Sequence, residues 1–304
     1  MLLTLNAHCL RSLLQASPKG RRQAMSVFDL PAFTKQTLGL NGLNLSTDML
    51  VGFDRAQLET LRERADKAAC SCLLLVESEA QTLTDPESAE AAIARMRRVI
   101  TAANILGCNS AAMRIKAPDS DQAMEVVSKR LKQVSEPAEK LDLTLLISPM
   151  TGLTAIPERL TDLIKKVGGF RIGTFPDFQA AAAAKDPSAY LRRLCPYAQV
   201  VSASAVKFKD TGKKTLLADG ETERIVYAHE TYDLNLMIKA VTSVGFEGTI
   251  GIDYRGEGDI VTGITRTRDV LLDAIGGVDH DASDLDDELE IGEEIEEAEP
   301  GTDQ

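Results

Sequence analysis

The chain has 304 residues, 44% of them apolar, enough for one large domain or two small ones with a sizeable core. Thirteen of its 46 acidic residues lie between Asp279 and Gln304, a stretch without Lys or Arg, so the preceding body is close to neutral although the whole chain carries −12. A neutral body removes the electrostatic case for nucleic acid or an anionic membrane as partner, and 4% aromatics with no Trp provide few stacking platforms.

Met1-Leu-Leu-Thr-Leu-Asn6 lacks a basic leader, and Asn6, His8 and Arg11 interrupt its apolar run, so a cytoplasmic chain without a signal peptide is expected. No apolar run reaches the roughly 18 residues that read as a membrane span. Residues 2–7 are the first of eight short apolar runs; the others are 42–46, 72–77, 111–116, 143–148, 170–175, 199–204 and 249–254. Several, such as Leu143-Thr-Leu-Leu-Ile147, are nearly continuous, as strands covered on both faces should be. Stripes at helical spacing separate them: Leu58, Leu61, Ala65 and Ala68, then Ile93, Met96, Ile100 and Ala103, then Met124, Val127, Leu131 and Val134. Leu160, Leu163, Ile164 and Val167 repeat the pattern, as do Leu234, Met237, Ile238 and Val241, and finally Ile260, Ile264, Leu271 and Ile275. Asp85-Pro86 and Asp186-Pro187 read as helix starts.

Eight strand–helix repeats in this length predict an α/β fold, a single (β/α)₈ TIM barrel over residues 1–277. An open doubly wound sheet would announce a glycine-rich phosphate turn, which is absent. The seventh strand is followed by a long excursion from Ala205 to Glu230. There Asp219-Gly220 predicts a hairpin turn, and Lys207, Lys209, Lys213 and Lys214 fit either an anion-gripping lid or a solvated decoration. Residues 278–304 read as a disordered acidic tail suited to a basic partner. Cys9, Cys70, Cys72, Cys108 and Cys195 fall in apolar contexts and read as reduced, buried thiols rather than a redox pair.

Four stretches carry a resemblance. Phe28-Asp-Leu-Pro-Ala-Phe33 with Leu38-Gly-Leu-Asn-Gly-Leu-Asn44, Gly173-Thr-Phe-Pro-Asp-Phe178, residues 203–208 with Asp210-Thr-Gly212, and residues 245–259 are similar to the sugar phosphate isomerase/epimerase group of xylose-isomerase-like barrels. The resemblance implies proton transfer beside a sugar carbonyl, helped by one divalent metal held by Glu, Asp, His and Glu after the fifth to eighth strands. Carried over residue by residue, it places Ser148 at the first of these positions, Asp177 at the second, Ser202 at the third and Asp253 at the fourth. Ser204 replaces a frequent Lys. Hydroxyls are poor ligands, so no tightly bound cofactor is expected, and weak Mg²⁺ on Asp177 and Asp253 is the most the set implies.

Asp177, Asp253 and Glu77 are therefore the candidate acids and bases. Arg114, Lys116, Ser148, Ser202, Ser204, Lys207 and Arg255 are candidate contacts for a small sugar-like ligand. Without a cation, Asp177 and Asp253 are expected to face one another and repel. The bland alternative pairs Glu77 and Asp253 with Arg114 and Arg255. His8 fits a ligand, a base or a hydrogen-bonded core residue. Three functions stay open at this level: a sugar isomerase or epimerase, a metal-free acid/base enzyme, and a non-catalytic barrel that binds or docks.

Overall fold

The computed structural model describes residues 1–15, 24–216 and 223–289, with residues 277–289 as backbone only. The chain opens with β1 (Leu2–Asn6), α1 (Leu30–Leu38), β2 (Gly42–Ser46), α2 (Arg55–Lys67), β3 (Ser71–Val76), the two-residue β4 (Gln81–Thr82) and α3 (Pro86–Leu106). It continues through β5 (Ser110–Lys116), α4 (Asp121–Lys140), β6 (Thr144–Ser148), α5 (Pro157–Val167), β7 (Ile172–Thr174), α6 (Phe178–Ala183) and α7 (Pro187–Leu194). The last third holds β8 (Val200–Ala205), the hairpin β9 (Phe208–Leu216) and β10 (Glu223–His229), α8 (Leu234–Thr242), β11 (Thr249–Tyr254) and α9 (Ile260–Leu289).

Eight strands run parallel in the order β7-β6-β5-β3-β2-β1-β11-β8. The ring closes between β7 and β8 through only two isolated bridges, Thr174 with Ala198 and Asp177 with Ser202. This is the TIM barrel that the repeat pattern predicts. β2 and β11 coincide with their apolar runs, and most of the other strands lie within a residue of theirs. β7 is shorter than expected at both ends: Phe170 stands fully exposed beyond Gly168-Gly169, and Phe175 falls outside the three-residue strand. β4, which pairs with the outer end of β5, has no apolar signal and was not foreseeable.

The main core lies between the strands and the surrounding helices, with Leu5, Leu43, Leu75, Ile147 and Ile252 fully covered. Inside the ring the two halves differ. Leu74, Ala112, Leu146, Phe175 and Val200 form an apolar cluster on one side. On the other, β1, β2, β8 and β11 bury Thr4, Asn6, Asn44, Ser202 and Asp253. Aliphatic side chains normally fill such interiors, so a polar half marks the wall where ligand chemistry is concentrated.

The hairpin's first strand begins at Phe208, eleven residues before the expected turn. Its turn at Asp219-Gly220 lies outside the described residues. α9 continues to Leu289, so the boundary expected at residue 277 falls within a helix; residues 290–304 lie outside the described residues. All five cysteines are free and buried, and burial pushes the thiols of Cys70 and Cys72 up to about 11 and about 12. Among the described residues no helix is long and apolar enough to cross a membrane.

Candidate active site

The strands' C-terminal ends surround a cavity of about 630 Å³. This is the rim where barrels of this kind carry their active sites. Its polar wall is built from the inside of the ring. The Asn44 amide donates to Thr4 Oγ1 at 3.0 Å and to Asn6 Oδ1 at 2.8 Å, and the Asn6 amide donates to Ser202 Oγ at 3.2 Å. Gly251 on β11 is required beneath this pair, because a Cβ there would stand 2.5 Å from Asn6 Oδ1 and 2.6 Å from Asn44 Nδ2. Asn44 lines the cavity wall, and its Oδ1 is buried beneath that wall without a hydrogen-bond donor.

Asp253 and Arg255 are two residues apart at the end of β11, so both side chains reach the mouth. Asp253 is 1% exposed, and its Oδ2 accepts from Arg255 Nε at 2.9 Å and Nη2 at 2.6 Å, with Ser202 Oγ at 3.4 Å. Asp177 follows β7 and caps α6, accepting from Ala180 N at 3.0 Å and Ser204 Oγ at 3.1 Å. Its Oδ2 accepts from Arg255 Nη2 at 2.6 Å, and Arg255 Nη1 donates to Gln179 Oε1 at 2.7 Å and to Asp177 Oδ1 at 3.4 Å. The two acids therefore do not repel across an empty space, as expected from their charges. A guanidinium lies between them and holds both. Burial opposes ionisation of Asp253, yet His8 and Arg255 together keep its carboxyl below the ordinary value of 3.8. Burial likewise opposes the Arg255 charge, and the two aspartates outweigh it and raise its pKa.

His8, just after β1, stands with Nε2 3.0 Å from Asp253 Oδ1 and its side chain 42% exposed to the cavity. The contact is close but poorly aligned, and Oδ1 has no well-aligned donor. His8 is thus a mouth residue rather than a core histidine. Its link to Asp253 spans most of the chain, and strand periodicity alone gives no sign of it.

The other candidates separate. Glu77 lines the wall, but its carboxylate accepts from Arg95 Nε at 2.7 Å and from the Glu79 amide at 3.0 Å, so it pairs with Arg95 and not with Arg114. Arg114 reaches the cavity and donates to the Ser78 carbonyl, and Ser148, its register partner on β6, lines the wall beside it. Three candidates do not line the cavity. Lys116 lies beyond the rim, where β5 pairs with β4, because two further residues of strand carry it past the mouth. Lys207 is exposed at the hairpin's foot, 2.8 Å from Glu230. Ser204 is fully buried behind Asp177 and orients it. Asn6, Asn44, Asp48 and Gln179 are among the mouth residues that the sequence reading did not assign as contacts, whereas His8 was a candidate ligand or base. The signal available for Asn6 and Asn44 was their place near the C-terminal ends of apolar runs; Gln179, in the first turn of α6, had none.

The divalent ion implied by the resemblance does not fit this donor set. Both carboxylates are engaged by Arg255, two of the four ligand positions hold hydroxyls, and among the described residues no three metal-binding side chains converge.

Comparison with known proteins agrees with the barrel fold. The model of the xylose isomerase-like TIM barrel family matches residues 35–274. No curated protein sequence matches the chain. Among solved structures, an L-ribulose 3-epimerase superposes with a TM-score of 0.72 at 11% identity, over 93% of this chain and 97% of that one. A D-psicose 3-epimerase from Clostridium cellulolyticum H10, solved with D-tagatose, gives 0.65 at 12% identity over 92% and 99%. A xylose isomerase-like TIM barrel protein from Mycobacterium smegmatis in complex with magnesium gives 0.64 at 14% identity over 90% and 96%. The chain belongs to the xylose isomerase-like TIM barrel family.

Proposed function

We propose that this barrel binds a small sugar or related hydroxy-carbonyl compound at its mouth and moves a proton beside the carbonyl, as an isomerase or epimerase does, without a resident transition metal. The observation that carries the reading is the His8–Asp253 pair facing a polar-walled cavity. A carboxylate can only accept, so His8 Nε2 carries the proton toward Asp253, and Nδ1 is left to take a proton from substrate. Arg114 on the far wall suits the carbonyl oxygen or an anionic substituent. Glu77, tied to Arg95, is assigned to shaping the wall rather than to proton transfer.

A second reading, a barrel that binds such a compound without turning it over, draws support from the ion pairs of Arg255 with both Asp177 and Asp253. One experiment separates the two. The protein is incubated in D₂O with a panel of ketopentoses, ketohexoses and their phosphates, and deuterium at the carbon next to the carbonyl is followed by NMR. Exchange by the native chain that is lost in His8→Ala supports the enzyme. Saturable thermal shifts without exchange anywhere in the panel leave only the binding protein.

A further inference from the structure

We propose that the acidic segment 290–304, which lies outside the described residues, docks within its own chain into a basic groove between α2 and α3 on the outer face of the barrel. The basic partner that its composition calls for is then the body of the same molecule. This docking is independent of what the mouth binds or turns over.

The groove has a volume of about 430 Å³. Its floor is apolar, with Phe53 and Leu58 at the start of α2 facing Ala102 and Ile105 on α3. Four arginines stand over that floor: Arg55, Arg95, Arg97 and Arg98. Asp54, an acid in the same wall, is spent as the N-cap of α2, where it accepts from the Gln57 amide at 2.9 Å. Arg55 is matched by Glu59 of its own helix at 2.8 Å. The other three have donors to spare. Arg95 donates to Glu77 through Nε at 2.7 Å, and its Nη groups have no acceptor among the described residues. Arg98 has no ion-pair partner among the described residues. Arg97 feels the Glu136 charge without an ion pair, and Glu136 is held by Lys140 at 2.7 Å.

A guanidinium rim over an apolar floor suits a segment that carries both carboxylates and aliphatic side chains. Residues 290–304 hold seven acids and no Lys or Arg, and Ile291 and Ile295 stand among Glu293, Glu294, Glu296 and Glu297. The segment can also reach. α9 packs on α8 and α1, α1 on α2, and α2 on α3, so the groove lies two helices round the ring from α9. Neighbouring helices are about 10 Å apart, whereas an extended segment of this length spans up to about 50 Å. Tethering to the same chain holds it at an effective concentration of about a millimolar, so charge pairs that are weak singly suffice.

Arg95 links the groove to the mouth. It lines the groove while its Nε ties Glu77, which is 1% exposed in the mouth wall. A carboxylate on the Arg95 Nη groups steadies the arginine that steadies Glu77, so the docked segment braces that wall from outside.

The test attaches a nitroxide to Ala298→Cys in the full-length chain and reads the methyl NMR signals of Leu58 and Ile105. The five native thiols are buried, so the label goes to the introduced one. At low salt both methyl signals should lose most of their intensity, and they should recover in about 1 M NaCl, where charges are screened within about 3 Å. Arg97→Glu together with Arg98→Glu should restore them at low salt, as should Glu293→Gln, Glu294→Gln, Glu296→Gln and Glu297→Gln together. Mixing isotope-labelled chain without nitroxide and unlabelled chain with it should leave the signals intact. Full methyl intensity in the spin-labelled chain at low salt would overturn the proposal, as would broadening that survives both the salt and the charge changes. Broadening in the mixture would also overturn it, and would give the groove to the tail of a second copy. Should the reversed variant not fold, the salt titration and the mixture decide on the same terms.

Discussion

Asp253 is the residue on which the mouth turns, since it touches His8, Arg255 and Ser202 while being shielded from water. Asp253→Asn leaves the guanidinium and imidazole without their buried partner and should cost about 3–5 kcal/mol in urea denaturation, the range for breaking a buried pair. Asp177→Asn should cost much less, because Asn also caps a helix and the position is nearer solvent. Equal losses would mean that the two acids are not ranked by burial. The Asp253–Arg255 pair was legible in the sequence, because two residues along a strand share a face. The bridge on to Asp177 and the reach of His8 were not legible. Both depend on how strands far apart in the chain curve toward one axis, and residue spacing carries no such distance.

At the scale of the element, the hairpin β9–β10 shows what local signals miss. Its lysines fitted a lid, but none of its described residues lines the mouth. β10 instead lies along α9, with Arg224 paired to Asp273 and Arg266 stacked 4.3 Å over Tyr227. His229 latches its base: Nε2 accepts from the Val206 amide at 3.0 Å, and the ring packs between Phe208 and Tyr232. Burial lowers the His229 pKa from its ordinary 6.5, so the folded chain favours the neutral ring. The unfolded chain then takes up a proton that the folded chain refuses, and stability should decline as pH falls through 6.5. Thermal melts over that interval should flatten in His229→Gln, and an unchanged slope would remove the latch from the account. Asp253 adds a second loss at lower pH. Its folded pKa is depressed, so its contribution is present at neutrality and disappears as pH falls below the ordinary 3.8. The eight barrel strands were readable from apolar runs because burial on both faces writes itself into composition. β4 and the early start of β9 were not, because their pairing depends on neighbours rather than on their own residues.

For the whole molecule, the ring of strands is bonded continuously except between β7 and β8, where two isolated bridges join them. One of those bridges carries Asp177 itself. Amide exchange should therefore be faster at Ile172–Thr174 than in β1, β2 and β11, and Arg255→Lys should accelerate it further, because the guanidinium fork spans the join. Uniform protection around the ring would show that the join is as firm as the rest. A continuous hoop cannot change its girth without tearing a ladder of hydrogen bonds, whereas a hoop with one open stave dilates there first. The mouth thus has a single adjustable side, and Arg255 is its clasp: whatever loosens its grip on Asp177 widens the vessel, and whatever tightens it fixes the bore.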